Sequence, residues 1–121
     1  MTDVATALYE FFSGFDIPAF VEYNVPEDLN PPYITYELLQ PDWGVNQALR
    51  ARVWYRDSSF ARIASKVKEM RLRIGNGVSI KLDDGVMYLW ADSMWAQNQI
   101  IDDEPNMKCI YLSMIMQVES Y

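Results

Sequence analysis

The sequence predicts an α+β domain, a single mixed or antiparallel sheet of four to six strands with two helices packed on it. Three observations carry that expectation. Two segments repeat apolar residues at helical spacing, several others alternate apolar and polar residues as half-buried strands do, and helices and strands do not follow one another as βαβ units. No internal period marks a repeat. The 121 residues suit one domain over 1–121, long enough to bury roughly two thirds of its unfolded surface.

The first helix is expected from Thr2 to Ser13. Val4, Ala7, Leu8, Phe11, Phe12 and Phe15 fall on one face, and Gly14 is placed to end it. From Asp16 to Pro32 the chain carries Pro18, Pro26, Pro31 and Pro32, which resist regular structure beyond a short strand near Ala19 to Tyr23. Tyr33 to Leu39 (YITYELL) is aromatic and β-branched between prolines, hence a strand, and Pro41 to Gly44 make the turn after it.

Val45 to Arg56 reads as a second long strand. It sets Leu49, Ala51, Val53 and Tyr55 on a core face and Arg50, Arg52, Trp54 and Arg56 on a basic one. Asp57 and Ser58 are candidate caps for a second helix whose apolar face is Phe60, Ile63, Ala64, Val67, Met70 and Ile74, stopping at Gly75-Asn76-Gly77. Val78 to Leu82 and Val86 to Trp90 then flank Asp83-Asp84-Gly85, where Asp-Gly favours a tight hairpin. Asp92 to Pro105, with Trp95, Ile100-Ile101 and the acidic run Asp102-Asp103-Glu104, is expected as an exposed arm or loop. The closing strand, Met107 to Val118, has no strongly charged face, so both faces are expected to be covered, in mid-sheet or against another chain.

Composition narrows the function. Half the residues are apolar and 14% aromatic, which excludes a disordered chain. No apolar run approaches the roughly 18 residues of a membrane span, and the opening MTDVATALYEFF lacks the basic flank and cleavage site of a signal peptide, so the expectation is a protein that stays where it is made, without a membrane partner. Cys109 is the single cysteine, which rules out an internal disulfide and a Cys-rich zinc site; its apolar surroundings suit a small buried filler. There is no histidine. That removes Ser-His-Asp and Cys-His nucleophiles, His-ligated zinc and the commonest general base near neutral pH.

Chemical motifs are otherwise absent: no GxxxxGK[ST], no GxGxxG after a strand, no HExxH. GNG at 75–77 follows a helix C-terminus, a poor place for an anion. The acidic clusters Asp83-Asp84 and Asp102-Asp103-Glu104 do not fit a calcium loop and suit turns and solubility. No catalytic, cofactor or metal residue is expected, and no cofactor.

The charge pattern carries more. Eight of the ten basic residues (Arg50, Arg52, Arg56, Arg62, Lys66, Lys68, Arg71, Arg73) lie from Arg50 to Arg73 against only Asp57 and Glu69, a balance of +6 that leaves −13 for the rest of a chain of net charge −7. Segregated charge suits a molecule that meets copies of itself or an oppositely charged partner, though a solvated strand and helix face would look the same. Trp90, Met94 and Trp95, beside an acidic stretch, are residue types enriched at interface centres, unless they fold back onto the core. The candidate inter-subunit residues are therefore Arg50, Arg52, Trp54, Arg56, Trp90, Met94, Trp95, Asp102, Asp103 and Glu104.

The Pro-bounded strand PPYITYEL, the Arg- and Trp-bearing strand entering a helix (RARVWYRDSSFARIASKVKEM), the tight LDDG turn and the closing WAQNQIIDDEPNMKCIYLSMIMQVES occur in an order that resembles tail completion, or tail terminator, proteins of long-tailed bacteriophages and prophages. The likeness runs from Pro31 onward and rests on pattern and order. It implies a virion subunit, assembled in the host cytoplasm, that forms a ring, typically a hexamer, at the head-proximal end of the tail. Such a ring ends tube growth and joins the connector of the head. Its partners would be copies of itself, the tail tube protein and the head-tail connector protein, with DNA passing through the lumen without specific binding. The resemblance supplies no catalytic residues. Three rivals stand beside it: another head-tail connector or neck adaptor, a nucleic-acid-binding module using Arg50, Arg52, Arg56, Arg62 and Lys66, and, last, an enzyme working with carboxylates.

Overall fold

The structure, a computed structural model, describes residues 2–101, 104 and 106–121. Along the chain come α1 (Val4–Ser13), β1 (Ala19–Val21), β2 (Tyr33–Tyr36), β3 (Gln47–Arg56), α2 (Ala61–Ile74), β4 (Val78–Lys81), β5 (Gly85–Gln99) and β6 (Met107–Ser120). The six strands form one sheet in the order β1-β2-β3-β6-β5-β4. Only β1 and β2 run parallel; every other neighbour is antiparallel. The fold is the expected α+β class with a single mixed sheet and two helices.

Both helices lie on one face of this sheet. The α1 stripe of Val4, Ala7, Leu8 and Phe12 is buried, and Phe12 stacks on Tyr36 of β2 with ring centroids 4.7 Å apart. In α2 the buried residues are Ile63, Val67, Met70 and Ile74, and the helix packs across β3, β5 and β6. Beneath them the strands contribute Ile34, Leu49, Ala51, Val53, Tyr55, Met87, Leu89, Leu112, Met114, Met116 and Val118. The register aligns this core: Leu49 faces Met114, Ala51 faces Leu112 and Leu89 faces Met116. Each fully buried aliphatic side chain here stabilises the fold by roughly 1.5–3 kcal/mol. The two helices are tied to each other as well, since Lys66 Nζ donates to the Phe15 carbonyl at 2.9 Å and the Arg73 guanidinium lies 4.7 Å from the Phe15 ring centroid.

Several boundaries differ from the sequence expectation, each for a local reason. Asp3 caps α1, its Oδ1 accepting the Thr6 N–H at 2.8 Å, and these bonds hold its carboxyl below the usual range. Gly14 keeps a right-handed conformation (φ −71°), and the left-handed step falls at Asp16 (φ 69°). At α2 the Asp57 and Ser58 caps are not used. Asp57 instead accepts the Ser59 N–H at 3.3 Å, the Ser59 hydroxyl accepts the Ala61 N–H at 3.1 Å, and Phe60 occupies the cap position without a side-chain bond. Ala64, expected on the core face, is exposed.

The hairpin at 82–85 forms, with the Leu82 N–H donating to the Gly85 carbonyl at 2.9 Å. Gly85 is not the left-handed turn residue the Asp-Gly pair suggests. It begins β5, and a Cβ there would run into the Glu119 carbonyl of β6 and meet the Trp43 ring at 3.0 Å. Close backbone approach, not turn geometry, demands this glycine.

The largest correction concerns 92–105. Most of the expected exposed arm is strand: β5 continues to Gln99, and Ala96 to Gln99 pair with Leu112 to Cys109 after a bulge between Ala91 and Ala96. The bulge sets residues 92–95 against Ser113 and interrupts the alternation that would have announced the strand in the sequence. β6 is central, as expected, but only one of its faces is covered; Tyr111, Ser113, Ile115 and Gln117 on the other face are half-exposed. Among the described residues no helix is long and apolar enough to cross a membrane.

Candidate interaction surface

With both helices on one side, the opposite face of the sheet is left uncovered. Its side chains follow from the register. One row across the strands is Phe20, Thr35, Arg52, Tyr111 and Gln97; another is Tyr33, Trp54, Cys109 and Gln99; a third is Ala48, Ile115 and Trp90. Thr35 and Cys109 are buried in this layer, and the larger side chains around them are half-buried or exposed. The outer face is therefore mixed: Arg52 and the Arg50–Ser113 pair lie in its middle, flanked by Tyr33, Trp54 and Tyr111 on one side and Ile115 and Trp90 on the other, aromatic types that interfaces favour.

Local contacts hold the layer in shape. The Trp54 indole donates Nε1–H to Thr35 Oγ1 at 3.0 Å and stacks on Tyr33 at 6.1 Å between centroids. Arg52 is the hub: its Nη1 pairs with Glu22, its Nε donates to Gln99 Oε1 at 3.3 Å, and its guanidinium lies 5.2 Å from the Tyr111 ring centroid. Cys109 lies beneath, its Sγ 3.7 Å from Gln99 Oε1. Burial pushes the Cys109 thiol up to about 12, against the milder opposing effect of Arg52, so it is an inert packing group at neutral pH. Burial likewise raises the Tyr33 hydroxyl.

The sequence-predicted residues divide among different places. Arg50, Arg52, Trp54 and Arg56 do share the outer face of β3, as their alternation requires. Arg52 is nevertheless committed within the chain, and Arg56 Nη1 pairs with Glu104 at 3.2 Å across half-exposed side chains, tying the end of the acidic run to β3. Among the described residues Arg50 is exposed and makes no ion pair. Trp90 sits on the outer face opposite Ile115. Trp95 packs against the core, with its indole N–H buried and without a hydrogen-bond partner among the described residues, and Met94 between them is 60% exposed. The three thus do not form one patch. Asp102 and Asp103 lie outside the described residues.

The basic segment is split by the sheet itself. Arg50, Arg52 and Arg56 occupy the outer face, whereas Arg62 and Lys66 belong to α2 on the opposite side, where Arg62 lies over the Tyr55 ring and near Asp57 (3.7 Å), and Lys66 pairs with Glu69 at 3.3 Å. The +6 of the linear sequence is not one positive patch, and the five cations proposed for a nucleic-acid site do not converge.

Sequence reasoning missed Phe20, Tyr33, Tyr111 and Ile115 as neighbours of Trp54 and Trp90. Period-two alternation announced which residues share a face of each strand, but the sheet order that brings five strands' outer faces together is a long-range property. Concave sites are modest by comparison. A cavity of about 280 Å³ lies between the start of α1, Leu38 to Pro41, Trp43 and the 82–84 turn; of the two acidic residues that line it, Asp3 and Asp84, Asp3 already caps α1. Among the described residues no three Cys, Asp or Glu side chains gather as a metal-holding group. Comparison with protein-family models finds no match, and comparison with curated proteins finds none either.

Proposed function

We propose that this chain is a structural subunit that assembles with copies of itself into a closed ring, as tail terminator proteins do, ending the growth of a phage tail tube and offering a surface to the head-tail connector. The observation that carries the reading is the face of the six-stranded sheet opposite the helices, where Trp54, Tyr33, Tyr111, Trp90 and Ile115 lie half-buried without a helix over them. A half-exposed aromatic sheet face of this kind suits association with a partner. The ring resemblance in the sequence supplies the kind of partner, and the absence of histidine supports a structural role over catalysis.

A cyclic ring joins two different patches of each subunit. The outer face, with Arg50 in its middle row opposite Ser113, is one; the other is an acidic surface of the neighbour, consistent with the −13 carried outside residues 50–73. An overall negative charge also suits a ring through which DNA passes without being held. Ile115→Glu and Trp90→Glu test the reading, because each places a carboxylate at the centre of the outer face without touching the core under the helices. Both should leave far-UV circular dichroism unchanged and abolish ring formation. Assembly equal to that of the parent chain would remove the outer face from the interface. If rings form but dock only on connector protein and never on tail tubes, the neck adaptor role replaces the terminator role.

A further inference from the structure

Among the described residues, hydrogen bonding along β5 leaves one stretch of backbone without a partner. On β6, the Asn106 carbonyl accepts from Asp57 and the Tyr121 N–H donates to Asp84, so even-numbered residues of this strand turn towards β3 and odd-numbered ones towards β5. Gln97 and Gln99, opposite Tyr111 and Cys109, therefore spend their backbone groups on β6, and those of Ala96 and Asn98 point away from the sheet. Among the described residues no strand pairs with them on that side. β4 reaches only as far as Val78 opposite Leu89, and among the described residues no backbone hydrogen bond links 91–101 to any segment other than β6. Ala96, Gln97 and Asn98 are exposed, and beyond them Ile100 is 88% exposed.

The other sheet edges are closed or blunted. At β1, Ala19 is buried and the Val21 carbonyl accepts the Asn24 N–H at 2.9 Å. β4 carries Lys81 on its short edge and runs into Asp83-Asp84, the usual protection against edge pairing. Trp95 to Ile100 (WAQNQI) has neither charge nor proline, so an identical segment can lie against it without like charges meeting.

The geometry points to a second copy of this chain as the occupant, paired antiparallel through the free edge of β5 about a two-fold axis at Gln97. That register sets Ala96 of each copy opposite Asn98 of the other, completing four backbone hydrogen bonds from the outward N–H and C=O groups. It also brings the exposed Met94 of each copy towards the exposed Ile100 of the other, covering two large apolar side chains per chain. The contact is isologous and closes on itself, so it is distinct from the head-to-tail contact of a ring and stands or falls separately.

Asn98→Pro is the direct test. Proline removes the outward N–H and leaves the bonds to β6, which Gln97 and Gln99 make, and the extended conformation it imposes before itself suits a strand. In the Ile115→Glu background, where rings should not form, sedimentation equilibrium over a concentration series should show a dimer, weakened by roughly tenfold when N98P is added, with two of four bonds lost. Ile100→Asp, outside the ladder and at a side chain 88% exposed, should weaken it as well, and it decides the matter if N98P fails to fold. A parent chain that never dimerises outside a ring, or variants that pair as well as the parent, overturn the proposal.

Discussion

Arg50 and Arg52 sit two residues apart on the same face of β3, and replacing each in turn separates the stability of the fold from its assembly. Arg52 is held by Glu22, Gln99 and the Tyr111 ring. Its ion pair reaches a carboxylate that is more than a third exposed, so it contributes no more than about 0–1 kcal/mol. The cation-π contact adds roughly 0.5–1 kcal/mol, and the bond to Gln99 about another 0.5–1.5 kcal/mol. Because these terms share one side chain and do not simply add, Arg52→Ala should cost about 1–2 kcal/mol, a fall in Tm of roughly 4–8 °C for a domain of this size. Thermal unfolding followed by circular dichroism measures it. A double-mutant cycle with Glu22→Gln should return a coupling of at most about 1 kcal/mol. Arg50→Glu should behave in the opposite way, with Tm unchanged and assembly weakened, because among the described residues Arg50 has no ion pair to lose. The reasoning is refuted if R52A unfolds at the parent temperature, or if R50E lowers Tm while leaving assembly intact.

Two further outcomes follow from the fold. Gly85→Ala forces a Cβ against the Glu119 carbonyl of the central strand, and separating two paired backbones should cost about 2–3 kcal/mol, lowering Tm by roughly 10 °C; an unchanged Tm would show that the hairpin end yields freely. The Cys109 thiol ionises near 9.0 when unfolded and only at about 12 when folded. Its contribution is therefore fully present below pH 9 and lost as pH rises towards 12, by at most about 1.4 kcal/mol per pH unit. Urea unfolding between pH 8 and 11 should show this decline, shallower in Cys109→Ala; identical slopes would contradict the burial of the thiol.

Much of this architecture could be read from local pattern. The spacing of Ile63, Val67, Met70 and Ile74 announced α2, and the alternation of Leu49 to Tyr55 announced both faces of β3, because period alone decides which side a residue takes. The second half of β5 was hidden by its bulge, where Asp92 to Trp95 break alternation and mimic a loop. The Asp57-Ser58 cap failed because short side-chain-to-backbone bonds at Asp57 and Ser59 compete with capping and delay the helix to Ala61. For the surface, alternation placed the β3 arginines and Trp54 on one face, but the linear charge pattern overstated their freedom. Arg52 meets Glu22, thirty residues away, and Arg56 meets Glu104, pairings set by sheet order and loop closure that linear charge counts do not contain. Trp90 and Trp95, five residues apart, were read together, yet one faces outward and the other packs on the core.

Ring formation itself is the central claim, and imaging tests it most directly. Purified chain should be examined by negative-stain microscopy with mass measurement over a concentration series, alone and beside tail tube protein. The account predicts closed rings, six chains in the expected case, that cap the ends of tubes and stop their growth. A species that stays monomeric or dimeric at every concentration, with no ring even in the presence of tubes, contradicts it.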